Sequence, residues 1–437
     1  PCGLGAAYRL LELGHDHFSI VEKNDYIGGL SASFADEQGF TWDIGGHVIH
    51  SHYDYFDQIF SKLMRNEYYS HQRSAWIYQY ERWIPYPFQN NIRHLPKQAL
   101  LECLAGLIAA QQNEGSSTPR NFAEWVRASF GAGIAEHFML PYNQKVWATH
   151  PHKMDFKWIG ERVSLIDLHS ILSQVILEQD TINWGPNNTF LFPKKGGTGG
   201  FFSRFVPIIA KQLRLKTRVV TIDCIRKTVT TSQGEQIHYD QLVSTMPLDI
   251  LIKQCALEKL SAPSRLLRHS DATIVGLGIK GAPPVSLADK SWVYFPEPEH
   301  PYYRMTVFSN YAKSHSPTAH YSLMFEISYP ARKRPDEKEL VSKTVRAAIQ
   351  AGFIKDKQAI VDIYSYPFTY SYPVPTLQRD EALRIIQPAL EKRQIYSRGR
   401  FGAWRYEIGN MDHCFMQGKE IVDRLLVGTQ ERTCRLR

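Results

Sequence analysis

Three histidines follow a glycine pair in the stretch GFTWDIGGHVIHSHYDYF, which covers residues 39–56. Imidazoles bind metals, relay protons near neutral pH, or form hydrogen bonds in the wall of a cofactor site. A zinc site takes three or four converging ligands, often a histidine pair four residues apart on a helix. Because His47, His50 and His52 are three and two residues apart behind the glycines, we predict no metal among them. A proton relay and a cofactor wall both stay open.

The opening stretch, PCGLGAAYRLLELGHDHFSIVEK, is typical of the second half of a dinucleotide-binding unit. Leucine and alanine at helical spacing predict an amphipathic helix that ends at Gly14, followed by the strand HFSIVEK. Gly3 would close a G-x-G-x-x-G turn, and Glu22 follows about 20 residues later, where a carboxylate receives the hydroxyl groups of an adenosine ribose. The alternative is that Glu22 is a solvated strand end. We expect the first strand and the earlier glycines to precede Pro1, lost by truncation.

The patterns beyond this unit alternate between strand and helix. Gly28 and Gly29 form a loop where backbone amides can approach a dinucleotide. Residues 74–88 predict a hairpin that turns near Glu81, and residues 95–182 have helical periodicity. The GGTGG loop at 196–200 is expected to pack a helix against a sheet rather than bind phosphate. Short alternating runs between residues 272 and 329 predict an antiparallel sheet, and the last helix has an apolar face of four residues, namely Ile421, Val422, Leu425 and Leu426.

Length, charge and cysteine content limit the kinds of ligand and the cellular compartment that we expect for this chain. The chain has 437 residues, enough for about two or three domains, and its net charge of +8 is scattered along the sequence. This distribution favours small anionic ligands and predicts no nucleic-acid partner. The longest apolar run, at 99–110, is too short to span a bilayer, so no membrane association is expected. The six cysteines contain no C-x-x-C pair, which indicates free thiols in a reducing, cytoplasmic compartment.

Several long strings make the chain resemble the UDP-galactopyranose mutase family, specifically its eukaryotic type. They include GGHVIHSHYDYFD, WIPYPFQNNI, PYNQKVWA, IGERV, NWGPNNTFLFP and SRGRFGAWRYEIGN. The resemblance runs from end to end and implies an α/β protein with a Rossmann-like FAD-binding domain, a helical insertion and an antiparallel-sheet substrate domain. We assign residues 1–64, 188–247 and 392–437 to the FAD-binding domain, 93–182 to the helical domain, and 65–92 and 248–391 to the sheet domain.

This resemblance also implies an activity. The enzyme would interconvert UDP-galactopyranose and UDP-galactofuranose as a flavin-dependent isomerase of galactofuranose biosynthesis, with FAD active in its reduced state. Flavin N5 would form a temporary bond to the anomeric carbon of the sugar while UDP leaves and returns. NADPH is the expected reductant, and a homo-oligomer is compatible with the family.

Catalytic roles follow from the resemblance at three positions. Arg162 and Arg304 would hold the diphosphate as negative charge builds on it, because a guanidinium binds phosphate oxygens through a fixed fork. His47 would face flavin N5 or O4 as a hydrogen-bonding wall, in a loop that moves when the flavin is reduced. From the residues alone, Arg162 could form a helix salt bridge and Arg304 could be a solvated strand residue.

The resemblance assigns ligand contacts to two further sets of residues. The substrate-binding set is Tyr86, Phe88, Gln89, Asn143, Asn187, Trp292, Tyr294, Tyr311, Tyr372 and Tyr406. The cofactor-binding set is Gly3, Glu22, Gly28, Gly29, Gly45, Gly46, Arg73, Arg400 and Asn410, with no metal ligand. Phe88 and Asn143 could equally be structural, and either of Arg73 and Arg400 could pair with a carboxylate. His50 departs from the eukaryotic pattern, which has phenylalanine there, and His52 is interpreted as structural.

Two other functions compete with this interpretation. A flavin amine oxidase or a protoporphyrinogen oxidase would share the FAD domain, but those enzymes usually place arginine after the glycine doublet, where this chain has Leu30. A noncatalytic nucleotide-sugar or nucleic-acid binder would use the positive charge without turnover, and salt would weaken its nucleic-acid binding.

Overall fold

The computed structural model describes residues 1–112, 118–160, 163, 165–181 and 188–434. Its helices are α1 (Cys2–Glu12), α2 (Asp54–Met64), α3 (Lys97–Gln112), α4 (Phe122–Ile134), α5 (Leu140–Trp147), α6 (Leu168–Ile176), α7 (Gly199–Phe202), α8 (Val206–Ile209), α9 (Leu248–Gln254), α10 (Ser261–Ser264), α11 (Glu337–Gln350), α12 (Arg379–Glu391) and α13 (Met411–Leu426). No helix among the described residues has the length and apolar character needed to cross a membrane.

Strands fall into one large sheet and several small ones. They are β1 (Ile20–Val21), β2 (Ser33–Ala35), β3 (Thr41–Asp43), β4 (Tyr68–Gln72), β5 (Ala75–Gln79), β6 (Arg82–Pro85), β7 (Thr189–Pro193), β8 (Leu213–Arg214), β9 (Val219–Asp223), β10 (Thr228–Thr231), β11 (Gln236–His238), β12 (Leu242–Ser244), β13 (Arg268–Lys280), β14 (Trp292–Tyr294), β15 (Arg304–Val307), β16 (His320–Pro330), β17 (Ile360–Val374) and β18 (Ile395–Ser397). Parallel pairing joins β1 to β8 and β12 to β18, while β2 pairs with β3 and β4 with β7 in antiparallel fashion.

The large sheet has seven strands in the order β17-β13-β16-β15-β14-β5-β6. All its pairs are antiparallel except β14 with β5. The predicted hairpin is confirmed as β5 and β6, and it turns at Tyr80 and Glu81, which both have φ of 55°. Such a pair of left-handed residues matches the twist of the flanking strands. Strand β17, the longest, has no counterpart in the sequence predictions.

Register in this sheet brings polar side chains into rows. Tyr294 on β14 lies opposite Arg304 on β15, which in turn lies opposite Glu326 on β16. One step along, Trp292 lies opposite Thr306. Because residues opposite each other across an antiparallel pair project from the same face, these five side chains share one face of the sheet.

The first and last helices of the chain pack closely. Helix α1 confirms the helix predicted before Gly14, whereas the predicted strand HFSIVEK is reduced to the two residues of β1. A Cβ at Gly418 of α13 would overlap the carbonyl oxygen of Cys2, so only glycine allows this approach. Of the predicted apolar face of α13, Ile421 and Val422 are buried, while Leu426 remains 49% exposed.

The predicted helical region is confirmed over its described part as α3 to α6. A π-helical turn, Ala135–Met139, leads directly into α5. This region shares a core with the sheet hairpin, in which Phe88, Phe130 and Trp147 are buried together. The mixed α/β class predicted from the sequence is confirmed; the domain boundaries given above stay predictions.

Candidate active site

A single continuous cavity of about 2330 Å³ runs between the small parallel pairs and the large sheet. Its wall is formed by the N-terminus of α1, the end of β1, the loop after it, part of the histidine segment (residues 45–52), the row of side chains on β14 to β16, helix α5, the second half of β17, and the segment that leads into α13.

The end formed by α1 and β1 has the features of a dinucleotide cradle. Gly3 in the first turn of α1 lines the cavity, as do Gly28 and Gly29, whose φ angles are 97° and 58°. Glu22 follows β1 directly, and one of its carboxylate oxygens accepts a hydrogen bond from the amide of Asn24 at 2.8 Å. A helix N-terminus and bare backbone suit a diphosphate, and a strand-end carboxylate suits a ribose, so these residues fit the group that the sequence implies.

His47 contributes a neutral imidazole to the middle of the cavity. Its Nδ1 atom is buried and has no hydrogen-bond partner among the described residues. Burial lowers the pKa of His47 to about 4; nearby Glu326 opposes this change and Arg304 adds to it. His47 lines the cavity, and an orphaned ring nitrogen is a group that a polar ligand atom could satisfy once bound.

Arg304 and Glu326 form a buried ion pair beside His47. Arg304 Nε donates to Glu326 Oε1 at 2.5 Å and Nη2 donates to Oε2 at 2.9 Å. Glu326 also accepts the hydroxyl of Tyr303 at 2.7 Å and the amide of Gly46 at 3.0 Å. Burial raises the pKa of Glu326, but the Arg304 guanidinium and these hydrogen bonds outweigh it, so the net pKa lies below its ordinary value.

Gly46 connects the histidine segment to this ion pair. A Cβ at Gly46 would overlap Thr306 Oγ1 and would lie 3.2 Å from Glu326 Oε1. The glycine therefore lets the backbone reach the carboxylate, which fixes the start of the segment relative to Arg304.

Aromatic rings and guanidinium groups line the two sides of the sheet row. The Arg73 guanidinium lies 5.3 Å from the ring of Tyr86 and 5.2 Å from that of Trp292. Tyr294 contacts Tyr86 at 5.1 Å and Tyr142 at 5.2 Å between ring centroids. Trp292 Nε1 is buried and has no partner among the described residues. These groups could stack on a flat base and hydrogen-bond to it.

The opposite side contains Arg400, Tyr372 and Tyr406. The Arg400 guanidinium lies 5.0 Å from the ring of Tyr372 and 5.6 Å from that of Tyr406. It also donates to the carbonyls of Ser371 at 3.1 Å and Gly409 at 3.2 Å. This arginine is therefore held by carbonyl groups and aromatic faces, whereas Arg304 is held by a carboxylate.

Helix α5 is tied to the sheet by a partly buried lysine. Lys145 Nζ donates to the carbonyls of Phe295 at 2.7 Å, Glu297 at 2.9 Å and His300 at 2.8 Å. These carbonyls belong to the connection between β14 and β15, so the lysine fixes Tyr142 of α5 against Tyr294.

Most residues expected from the sequence converge on the cavity. Those that line it are His47 and Arg304, then Tyr86, Gln89, Asn143, Trp292, Tyr294, Tyr372 and Tyr406, and finally Gly3, Glu22, Gly28, Gly29, Gly46, Arg73, Arg400 and Asn410. Three do not line it, namely Phe88, Tyr311 and Gly45. Arg162 and Asn187 lie outside the described residues.

Physical reasons separate these three residues from the cavity. Phe88 is fully buried and stacks on Phe138 at 4.7 Å between ring centroids. Tyr311 is buried against Phe190 and Phe192, and its hydroxyl has no partner among the described residues. Gly45 is buried behind Gly46, with φ of 110°.

Asn143 lines the cavity, but its amide bonds within its own helix region. It donates to the carbonyl of Met139 at 2.8 Å and accepts from Trp147 Nε1 at 3.2 Å.

Three further residues line the cavity that were not predicted from the sequence, namely Glu326, Tyr303 and Tyr142. A lone carboxylate within the apolar string HYSLMFEISY was the available signal for Glu326.

His52 belongs to a different cluster from His47. Its Nδ1 atom lies 2.8 Å from Asp412 Oδ2, and Nδ1 of His413 lies 3.0 Å from Asp412 Oδ1. One possible ligand atom from each of these three residues lies within 4.8 Å of the others, so the set could also hold a metal ion. The sequence predicted no metal ligand anywhere in the chain and gave no sign of this grouping, so the absence of a metal stays a prediction.

Comparison with known proteins identifies the family. The family model of flavin-containing amine oxidoreductases matches residues 1–426. The solved structure of a reduced UDP-galactopyranose mutase is 41% identical, with 99% of this chain and 94% of that chain covered and a TM-score of 0.96.

More distant structures share the fold alone. A protoporphyrinogen oxidase from Exiguobacterium sp. 255-15, described as putative, is 14% identical, with 98% and 97% of the two chains covered and a TM-score of 0.72. Cyclohexylamine oxidase from Brevibacterium oxydans IH-35A is also 14% identical, with coverages of 97% and 96% and a TM-score of 0.67. The chain therefore belongs to the flavin-containing amine oxidoreductase family and, within it, to the UDP-galactopyranose mutases, which makes it a flavin-dependent isomerase.

Proposed function

We propose that this isomerase interconverts UDP-galactopyranose and UDP-galactofuranose in a cavity that also holds FAD. The observation that carries the proposal is the ion pair between Arg304 and Glu326, which lies in the cavity wall beside His47. The similarity to a reduced UDP-galactopyranose mutase supports the choice of substrate.

Arg304 would bind the diphosphate through the N–H groups that Glu326 does not use. A guanidinium has five N–H donors, and Glu326 takes one from Nε and one from Nη2. The Arg304 side chain keeps 19% of its surface exposed on the cavity side. Since Glu326 balances the charge of Arg304, directed hydrogen bonds rather than net charge would hold the leaving diphosphate. Arg162 remains a second proposed clamp.

The nucleotide and the sugar would contact the aromatic side of the cavity. We assign uridine binding to Tyr86, Gln89 and neighbouring groups on α5, and sugar contact to Trp292, whose Nε1 atom can donate to a hydroxyl. Tyr294, Tyr372 and Tyr406 would add phenol hydrogen bonds to the diphosphate. Phe88 would act by supporting this wall, because it is buried behind it.

The FAD would be held by Gly3, Glu22, Gly28 and Gly29 at the cradle and by Asn410 before α13. The chemistry that reduced flavin supplies when bound is a nucleophilic nitrogen for the anomeric carbon of the sugar. His47 would orient a polar edge of the ring system as a neutral donor or acceptor. The aromatic walls would limit the access of water to the bound sugar while UDP remains held.

The decisive experiment is an anaerobic assay of the full chain reduced with dithionite. UDP-galactofuranose is added, and UDP-galactopyranose is quantified by liquid chromatography. R304K should lower turnover on the order of 100-fold or more, because a lysine cannot reproduce the fork. The matched control is R379K, since Arg379 is also buried and paired with Glu407 through a fork but does not line the cavity.

Failure would take a clear form. A flavin-loaded, reduced protein that converts no UDP-galactofuranose, or an R304K variant as active as R379K, would remove this function. Oxygen consumption with an amine or a porphyrinogen substrate would instead support the oxidase alternative.

NADPH is the proposed reductant, with Arg73 and Arg400 as its contacts. Both guanidinium groups face aromatic rings in the cavity, an arrangement that suits an anionic dinucleotide with a flat base. Anaerobic bleaching of the flavin should be faster with NADPH than with NADH, and R400A should slow it by about 10-fold or more, the scale of one lost charged contact. Equal rates with both nucleotides would contradict this assignment.

A cytoplasmic setting for the enzyme would agree with the free state of its six cysteines.

A further inference from the structure

The histidine segment is anchored at three points along its length. The amide of Gly46 donates to Glu326, and Ile49 exchanges two backbone hydrogen bonds with Leu191 at 3.1 and 2.7 Å. The far end, at His52, reaches Asp412 at the start of α13. The first anchor involves the ion-pair carboxylate, and the second is a backbone bridge. The third anchor uses a carboxylate that the proposed chemistry does not employ.

Asp412 makes an unusually complete set of contacts for a buried carboxylate. It is 1% exposed and accepts the amide of His52 at 3.1 Å, the Nδ1 of His52 at 2.8 Å and the Nδ1 of His413 at 3.0 Å. Burial raises its pKa, but the hydrogen bonds from His413 and His52 outweigh this, and the net pKa lies well below the ordinary value. The carboxylate therefore stays charged and has a donor on each oxygen.

A metal ion is the competing interpretation of this cluster. Both carboxylate oxygens, however, already accept imidazole nitrogens at ordinary hydrogen-bond lengths. A cation bound to the same atoms would have to displace both N–H groups. The set is complete as a hydrogen-bonded unit of one carboxylate and two imidazoles.

We propose that Asp412 is a positioning residue that fixes the far end of the histidine segment to the first turn of α13. Both the backbone and the side chain of His52 bond to it, so the anchor restricts the direction of the chain as well as its position. His47 lies between this anchor and Glu326, and its placement depends on both. Asp412 itself lines the same cavity, as do Asn410 and Met411 immediately before it and His52 on the segment. The anchor thereby links the His47 side of the cavity to the α13 side.

This inference rests on the proposed function only for its consequence in turnover. Its structural part is tested by hydrogen exchange on the flavin-loaded full chain, followed by mass spectrometry of a peptide that covers residues 44–53. D412L should raise the exchange rate of this peptide about 10-fold or more, because both His52 bonds go to one Asp412 oxygen and a leucine has no acceptor to replace it. The matched control is D423L. Asp423 is a buried carboxylate on the same helix that pairs with Arg9 and Lys419, away from the segment.

A second pair of variants keeps the test independent of folding. In H52N the side-chain amide can donate to Asp412 in place of Nδ1, whereas H52L cannot. H52N should keep the exchange rate of the wild type, and H52L should raise it in the same direction as D412L. In the mutase assay D412L and H52L should lower kcat more than they change KM, because the substrate wall on the sheet is untouched.

The outcomes separate the two hypotheses. Unchanged exchange in D412L and H52L, or an equal rise in D423L, overturns the anchor even if the enzyme is a mutase. If the variants raise hydrogen exchange in the peptide that covers residues 44–53 but the wild type shows no mutase turnover, the anchor is supported and the proposed function is wrong. Binding of one Zn²⁺ per chain that H413L abolishes would overturn the hydrogen-bonded unit in favour of a metal site.

Discussion

The two sides of the cavity are positioned by different means. On the sheet side, long strands place Tyr294, Arg304 and Glu326 opposite one another, and a buried ion pair fixes the row. On the cradle side, β1 has only two residues and β12 and β18 have three each. Close packing of helices and glycine loops takes the place of strand register there. We therefore expect the sheet side to be most sensitive to the loss of a charged side chain. The cradle side should be most sensitive to the replacement of a glycine by a larger residue.

The largest expected effect is the loss of one partner of the ion pair. E326L leaves Arg304 buried without its carboxylate and should lower the free energy of unfolding by about 3–5 kcal/mol. Turnover should fall to background. The double variant R304L/E326L should recover most of the stability but none of the turnover, as measured by urea unfolding and the mutase assay. If E326L is as stable as the wild type, the ion pair between Arg304 and Glu326 does not stabilise the row of side chains on β14 to β16.

On the cradle side, the sharpest change is G418A. The new methyl group would overlap the carbonyl oxygen of Cys2, so helices α1 and α13 must separate. The cost should be about 1–3 kcal/mol in the flavin-free protein, from overpacking. G3A, on α1, is the control, because its Cβ would lie 3.9 Å from Thr245 Cγ2 and should leave this stability unchanged. Equal unfolding midpoints for G418A and the wild type would argue that the contact between these helices is loose.

The next effect concerns the pH dependence of stability and Asp43, which lies at the end of β3 and bonds to Ser33 on β2 and to Thr198 before α7. Asp43 is buried and accepts hydrogen bonds from Ser33 and Thr198, yet burial raises its pKa to about 7. The native state therefore holds a proton more tightly than the unfolded state between about pH 4 and 7, and stability falls as pH rises through this window. D43N should remove this fall, because an asparagine has no proton to lose in this range. Parallel stability curves for the two proteins would contradict the assignment.

The smallest effect is the titration of His47. Because burial lowers its pKa to about 4, the imidazole should stay neutral throughout the physiological range. Its charged form is disfavoured in the folded state, so stability falls as pH falls from about 6.5, where the unfolded imidazole takes up a proton, to about 4. Carbon-13 NMR of labelled histidine, with H47Q to assign the signal, checks this. A midpoint near the ordinary value of about 6.5 would show that water reaches the ring freely.

Local patterns were read correctly from the sequence where a few neighbouring residues decide the structure. The helix before Gly14 and the hairpin near Glu81 follow from periodicity and turn geometry alone. Strand β17 was missed because it contains Pro367 and Pro373, and proline argues against a central strand. It is tolerated here because β17 is an edge strand.

The site was harder to predict because its contacts join distant parts of the chain. Arg304 was expected from resemblance, but its partner Glu326 depends on the register of β15 with β16, which no local pattern reveals. The contact between His52 and Asp412 spans most of the sequence. Tyr311 was expected to bind the substrate, whereas the structure encloses it in an aromatic cluster away from the cavity.

Strand β17 also affects how the molecule behaves in concentrated solution. An exposed sheet edge invites a strand from a neighbouring molecule, and Val361 and Ile363 are 45% and 47% exposed on it. The two prolines remove amide donors from its second half, and Arg400 occupies the carbonyl of Ser371 there. Pairing of this edge with a strand of another molecule would therefore be confined to the first half of β17, where a lysine in place of Val361 should oppose it.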